Sequence, residues 1–377
     1  MTIANALRTS KTPALTFAIV GLYWGCFAAY VPELKEQIGA GDARFGLLLL
    51  GSACGLATTM WFAPVFDRWL GRWSMGVSAM LLAFAFLMPG LATTSTTFFL
   101  AMFGCGLASG LTDVIMNARV SELEAATGRP LMNANHGAFS LAYAIAAAGT
   151  GLAREASIQP AVLFAMIGAV VMVLFYRLRM KPDDAKHDGR PVSLPWGTVA
   201  LCGAVVLIAF MSEAAVEAWS ALHVERTLGG SAAEGALGPA MLGLTMTIGR
   251  FGGQAVSERL SDTSVILGAA GLSVVGTLCV VVAATPLIAY IGFGVMGLGI
   301  SVIGPLGLAL VGRMVPPSLR TVAISRTAVL GFLGFFAAPT IMGLISEGYG
   351  LRAAYAAVAL LLVGLVPLVF ALRGRGA

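Results

Sequence analysis

The chain has 377 residues, of which 58% are hydrophobic and only 11% charged. A soluble domain carries roughly 25% charged residues, so this one cannot wrap its core in a polar surface; a soluble enzyme, a nucleic-acid binder and a disordered protein are excluded. The net charge of +5 is read as an orientation signal, because in a membrane protein the placement of Lys and Arg matters more than their sum.

Taken in chain order, twelve apolar runs lie near 13–34, 45–66, 74–92, 97–117, 134–153, 158–177, 197–221, 235–256, 264–283, 286–312, 321–345 and 351–372. Each approaches the ~20 residues that span a bilayer core. They are continuously apolar and rich in Leu, Ala and Gly, which fits helices and not the alternating strands of a barrel. The first run is long and is followed by others of its kind, so it reads as a spanning helix and not as a cleaved signal. The five cysteines all sit inside apolar runs without metal-ligand spacing and read as packing residues.

One connection stands apart. Arg177 to Pro195 holds five basic residues, three aspartates and three prolines, the composition of a flexible linker or a solvated charge cluster. It divides the chain into a six-helix unit at 1–177, a linker at 178–195 and a second six-helix unit at 196–377. The expected fold is all-α: twelve transmembrane helices in two pseudo-symmetric bundles. If the termini and the even-numbered connections face the cytoplasm, only Lys35, Arg44, Arg154, Arg226 and Arg352 of the 23 basic residues fall on the other side. That bias predicts both ends inside.

The halves also repeat loosely. Asp67-Arg68-Trp69-Leu70-Gly71-Arg72 follows the second run; Arg250 closes the eighth, with Glu258 and Arg259 after it, at an offset of about 192 residues. The acidic-basic, glycine-containing pattern of Asp67, Arg68, Gly71 and Arg72 resembles the signature of the major facilitator superfamily. It carries one extra residue, and Ala63 stands in place of the usual leading glycine. The stretch from Asp113 through Asn117 and Arg119 to Gly128-Arg129-Pro130 and His136-Gly137-Ala138-Phe139-Ser140, with Glu213 and Trp219-Ser220, resembles the YbjJ-type bacterial inner-membrane proteins, distant relatives of fucose-proton symporters. The resemblance implies a monomeric secondary transporter of the inner membrane working by alternating access, with Asp67, Arg68, Gly71, Arg72 and Arg119 forming a cytoplasmic gate.

Ionisable groups deep in a membrane usually face a cavity or a partner. Glu213 and Glu217 are four residues apart, on one helical face and about 6 Å apart along the axis, where like charges discourage simultaneous ionisation. They are proton-coupling candidates, unless the seventh helix starts nearer Trp196, which would put Glu217 at the outer mouth. Asp113 falls late in the fourth run, and with Asn117, Arg119, Asn133, Asn135 and His136 it is expected to form one polar cluster at the inner mouth. His136 titrates near neutrality and joins the proton candidates. Arg250 has three readings: pairing with a carboxylate, holding an anionic solute, or snorkelling; Arg326 shares them. Tyr23, Trp24 and Tyr30 on the first run and Trp219 on the seventh, with Asn117, Asn135 and Arg250, are cavity candidates, although membrane aromatics more often pack. No phosphate-cradling loop, metal cluster or nucleophile appears, so no cofactor and no enzymatic activity are expected.

The leading expectation is proton-coupled uptake of a small polar solute such as a sugar. This sequence lacks the first-helix acid of a close fucose transporter, and a cavity more apolar than polar would favour an efflux antiporter. A sensor or lipid-handling membrane protein is the further alternative. The partners expected are a small-molecule substrate, protons and the bilayer, with no nucleic acid.

Overall fold

The computed structural model describes residues 2–182, 194–257, 261–316 and 319–376. The described residues form helices and no strand: α1 (Ile3–Thr9), α2 (Lys11–Gln37), α3 (Asp42–Leu70), α4 (Ser74–Leu91), α5 (Ser95–Thr127), α6 (Met132–Glu155), α7 (Pro160–Leu174), α8 (Trp196–Leu222), α9 (Ala232–Ser257), α10 (Asp262–Val282), α11 (Pro286–Met314), α12 (Arg320–Val363) and α13 (Leu365–Gly376). Most of the linker expected at 178–195 lies outside the described residues, as do Lys186, Arg190, Glu258 and Arg259.

Each apolar run coincides with helix to within two residues at its ends, the sixth closing in the turn Phe175–Leu178 and the last crossing from α12 into α13. Eight helical stretches are long and apolar enough to cross a membrane, and two of them, Asp42–Leu91 and Val322–Gly374, hold two runs each. The two remaining runs form α6 and α9, interrupted by Asn133, Asn135 and His136 in one and by Arg250 in the other. Of these polar residues, Arg250 pairs with Glu213 beside the cavity described below.

Helix ends follow local chemistry. Thr94 caps α5 through a capping box with Thr97, and Pro160 and Pro286 open α7 and α11, where a missing N–H costs nothing. The fourth run was expected to end near 117. Instead α5 continues ten residues further, to Thr127, because nothing in Arg119–Thr127 breaks a helix before Gly128, which takes the left-handed conformation with φ 64°. The last two runs are joined without a loop: α12 bends at Gly350, φ 82° and ψ 165°, a conformation open to glycine.

Within the first half of the chain α2 packs on α6, α3 on α5 and α4 on α7; within the second, α8 packs on α12 and α10 and α9 on α11. Two seams join the halves, α6 against α9 and α3 against α12. The second seam is close because Gly46 has no side chain: a Cβ there would strike the Pro339 carbonyl, and Thr340 Oγ1 donates to the Gly46 carbonyl at 3.1 Å. Gly46→Val is therefore expected to wedge the seam at a cost of about 1–3 kcal/mol. Thermal unfolding in detergent, compared with Gly104→Ala, where a Cβ meets nothing, checks this; equal melting temperatures would contradict it. Outward the molecule is apolar, with Trp61 87%, Val173 80% and Leu360 75% exposed, as expected where lipid and not water is the solvent.

Candidate functional site

Between the halves lies a cavity of about 220 Å³. α2 contributes Val20, Trp24, Phe27 and Ala28; α3 Leu49, Ser52, Ala53 and Leu56; α5 Met102, Gly106, Ser109 and Asp113; α6 Phe139; α8 Ala214, Glu217 and Ala218; and α12 Phe332, Phe335, Phe336 and Pro339. Six aromatic rings and two carboxylates are the chemistry of this space. Phe332 and Phe335 lie 6.3 Å apart, both against Phe210. Opposite them, Trp24 Nε1 donates to Ser109 Oγ at 3.2 Å, which fixes the plane of the indole.

The two acids reach the cavity from different halves. Asp113 is the nineteenth residue of the lengthened α5, hence near its middle and not at its end. Its Oδ1 accepts from Asn117 Nδ2 at 3.0 Å. α8 does start at Trp196, but it also runs on through a π-helical turn, His223–Thr227, so Glu217 stays inside the molecule and lines the cavity. Glu213 and Glu217 differ in their partners. Glu213, 6% exposed, accepts from Arg250 Nη2 at 3.2 Å, whereas Glu217 makes no hydrogen bond among the described residues. Arg250 spans the α6–α9 seam: its Nη1 donates to Ser140 Oγ and, at 3.5 Å, to the His136 carbonyl. Of its three readings, pairing is the one observed.

Other sequence candidates fall elsewhere. Tyr23 is buried against Phe86 and Phe164, Tyr30 donates to the Ile158 carbonyl at 2.7 Å, and Trp219 is buried edge-on to Phe45; none of the three lines the cavity. A continuously apolar helix gives no pattern that says which aromatic turns inward. The polar cluster expected at one mouth is split three ways: Asn117 binds Asp113, Asn135 binds Ser10 Oγ at 2.8 Å, and Arg119 binds Asp67. His136 presents its ring to Phe17, 4.8 Å away, and only its carbonyl reaches Arg250. Arg326 is exposed.

Arg119 is fully buried and donates to Asp67 Oδ1 at 2.5 Å and to Glu122 Oε1 at 2.8 Å. These contacts lie within the first half and brace α3 against α5. Arg68 and Arg72 are exposed, and Gly71, φ 52°, turns the chain after α3. Asp67→Asn is expected to destabilise the fold by roughly 1.5–3 kcal/mol, the range for a lost hydrogen bond to a charged group, seen as a lower melting temperature. An unchanged melting temperature would show the pair to be dispensable.

Ion pairs that cross from one half to the other lie at the other end of the helices, away from both termini, and sequence reasoning missed them. Arg154, at the end of α6, donates from Nε to Glu33 Oε1 at 2.9 Å, and from Nη1 and Nη2 to Glu225 at 2.6 and 3.0 Å. Asp42, at the start of α3, receives Lys35 at 3.0 Å, both guanidinium nitrogens of Arg226 at 2.8 and 2.5 Å, and Ser346 Oγ at 2.5 Å. Glu347 closes the set by accepting from the backbone N–H of Asp42 at 2.5 Å. Both networks cross from one half to the other, and Glu225 and Arg226 are neighbours on the π-helical turn. Their only sequence signal was the adjacency of opposite charges at the end of an apolar run.

A helical membrane protein with acids and aromatics in a cavity between its halves, ion-paired shut at one end, has the architecture of a solute transporter. The chain belongs to the major facilitator superfamily, whose family model, Major Facilitator Superfamily, matches residues 14–295 and again 201–376. It is a transport protein and not an enzyme. It is 29% identical over 357 residues to an uncharacterized MFS-type transporter of Yersinia pestis, covering 93% of this chain and 92% of that one. It is 26% identical over 351 residues to the membrane protein MosC of Rhizobium meliloti, covering 91% and 85%. Among solved structures it is similar to a bacterial homologue of the human lysosomal transporter Spinster in an inward-facing, unoccupied conformation, at a TM-score of 0.78, 13% identity and coverage of 98% and 97%. A mutant of the nucleoside transporter NupG gives 0.77, 14%, 98% and 99%. At such identities the structures speak for the fold alone.

Proposed function

We propose that the protein is a proton-driven antiporter that exports an amphipathic solute with a flat apolar body and a basic nitrogen. The observation that carries this reading is the cavity wall: six aromatic rings against two carboxylates, Asp113 and Glu217. A sugar would leave most of its hydroxyls unpartnered against Phe332, Phe335 and Phe336, so the expectation of polar-solute uptake gives way to export. An aromatic amine stacks on these rings, gains cation–π contact with Trp24, and competes with a proton for a carboxylate.

In this reading the chain has twelve spans in two six-helix bundles with both termini in the cytoplasm of a bacterial cell, and it works as a monomer in the inner membrane. The ion-paired end is periplasmic and closed, and the cavity empties inward. The proton enters through Glu217 and Asp113, while Glu213 and Arg250 hold the α8–α9 seam. The kinship with YbjJ-type proteins is part of the same proposal.

The test is efflux from proteoliposomes under an imposed pH gradient, with fluorescent lipophilic amines and labelled sugars offered in parallel. Amine movement that accelerates with the gradient, and a KM for the amine about tenfold higher in Phe335→Ala, corresponding to ~1.4 kcal/mol of lost stacking, are expected. Sugar transport with no amine transport would defeat the proposal.

A further inference from the structure

The end of the molecule that carries both termini holds a group of cations that lie outside the cavity lining and outside the ion pairs at the opposite end. α3 and α4 are joined there by the short turn Gly71–Trp73, and α7 ends beside it in the turn Phe175–Leu178. The two turns are fastened together: the Met180 N–H donates to the Arg72 carbonyl at 3.1 Å, and Trp73 stacks on Phe175 with centroids 5.5 Å apart and planes at 19°. Two guanidinium groups lie over that same indole, Arg179 at 5.0 Å and Arg72 at 5.6 Å. Arg179 is held in place by its Nε, which donates to the Tyr176 carbonyl at 2.9 Å.

Neither arginine has a carboxylate partner among the described residues. The acid beside the turn, Asp67, is taken by Arg119. Arg68, Arg177 and Lys181 are exposed close by in sequence. Two like charges gathered on one ring repel each other, and the ring offsets only part of that; an anion between them would offset the rest and accept hydrogen bonds from both. The neighbouring surface is apolar or amphipathic, with Trp69 80%, Val173 80% and Tyr176 66% exposed. That pairing of cations with exposed aromatics belongs to the membrane interface. A free phosphate would satisfy the arginines and leave these side chains uncovered, whereas a phospholipid covers both.

We propose that Arg72 and Arg179, held on Trp73, form a headgroup site for an anionic phospholipid whose acyl chains lie along the Val173 face of α7. This goes beyond the transport reading and does not depend on it.

Native mass spectrometry of the full-length protein in detergent, titrated with phosphatidylglycerol or phosphatidylcholine, tests it. Wild type is expected to hold phosphatidylglycerol about tenfold more tightly than phosphatidylcholine, in keeping with two basic side chains at a lipid surface. Arg72→Gln with Arg179→Gln is expected to erase the preference, Arg179→Gln alone to weaken it, and Arg8→Gln, exposed on α1, to leave it intact. Millimolar inorganic phosphate is expected not to displace the lipid. Equal binding of the two lipids by wild type, a preference that survives both Arg179 variants, or displacement by phosphate would overturn the proposal.

Discussion

Arg154→Ala is expected to open the end of the protein opposite its termini. The side chain is 3% exposed and sits between Glu33 of the first half and Glu225 of the second. It also donates to the Ala29 and Ala232 carbonyls at 2.9 and 3.3 Å. Removing it leaves two carboxylates facing each other across the seam, and breaking a buried ion pair from one side costs about 3–5 kcal/mol. Because the cost falls only on the closed arrangement, it shifts the population toward the open one by up to roughly a thousandfold. Spin labels on Thr93→Cys and Ala284→Cys, exposed at that end on different halves, with Cys54 and Cys279 replaced by Ser, report the change. A new, longer distance population is expected. A distribution identical to that of the parent would mean that Arg154 does not hold the halves together.

Glu217→Gln is expected to remove the pH dependence of transport. Glu217 faces the aromatic cavity with no hydrogen bond among the described residues, while its neighbour Glu213 is held by Arg250. A neutral amide of the same size keeps the packing and cannot exchange a proton, so gradient-driven flux should fall to background. Exchange of labelled for unlabelled amine without a gradient should persist, since it needs only the wall and Asp113. Glu213→Gln, by contrast, should weaken the α8–α9 seam and lower the melting temperature. Gradient-driven flux at the parental rate in Glu217→Gln would take this residue out of the mechanism.

Much of this was legible in the sequence. Runs of apolar residues longer than a bilayer core leave helices as the only satisfied backbone, so Lys11–Gln37 and Trp196–Leu222 were readable from composition. The cost of burying charge made Asp113, Glu213, Glu217, Arg250, His136 and Arg326 stand out; the first four lie at or beside the cavity, while the His136 ring meets Phe17 and Arg326 is exposed. Rotation was not legible. Tyr23 and Trp24 are adjacent in a run that is apolar all round, and only tertiary packing decides that one meets Phe164 while the other meets Ser109. Helix length was not legible where charged residues continue a helix past the apolar run, as in Arg119–Thr127. The cross-half ion pairs escaped because Asp42, Arg154 and Arg226 stand at the ends of apolar runs, where charge is commonplace. Their partners are up to 305 residues away, as in Glu347 to Asp42, a separation no local pattern encodes.

The cavity between the halves as the solute's route, open on the side of the termini and shut on the other, is the claim on which the mechanism depends. It is tested by Ser52→Cys, a cavity-lining position, in the background lacking Cys54 and Cys279. A membrane-impermeant thiol reagent added to inverted vesicles should label Ser52→Cys, an excess of a transported amine should slow that labelling, and the same reagent added to right-side-out vesicles should label it only when Arg154→Ala is also present. Labelling from neither face, or equally from both in the protein with Arg154 intact, would contradict the account.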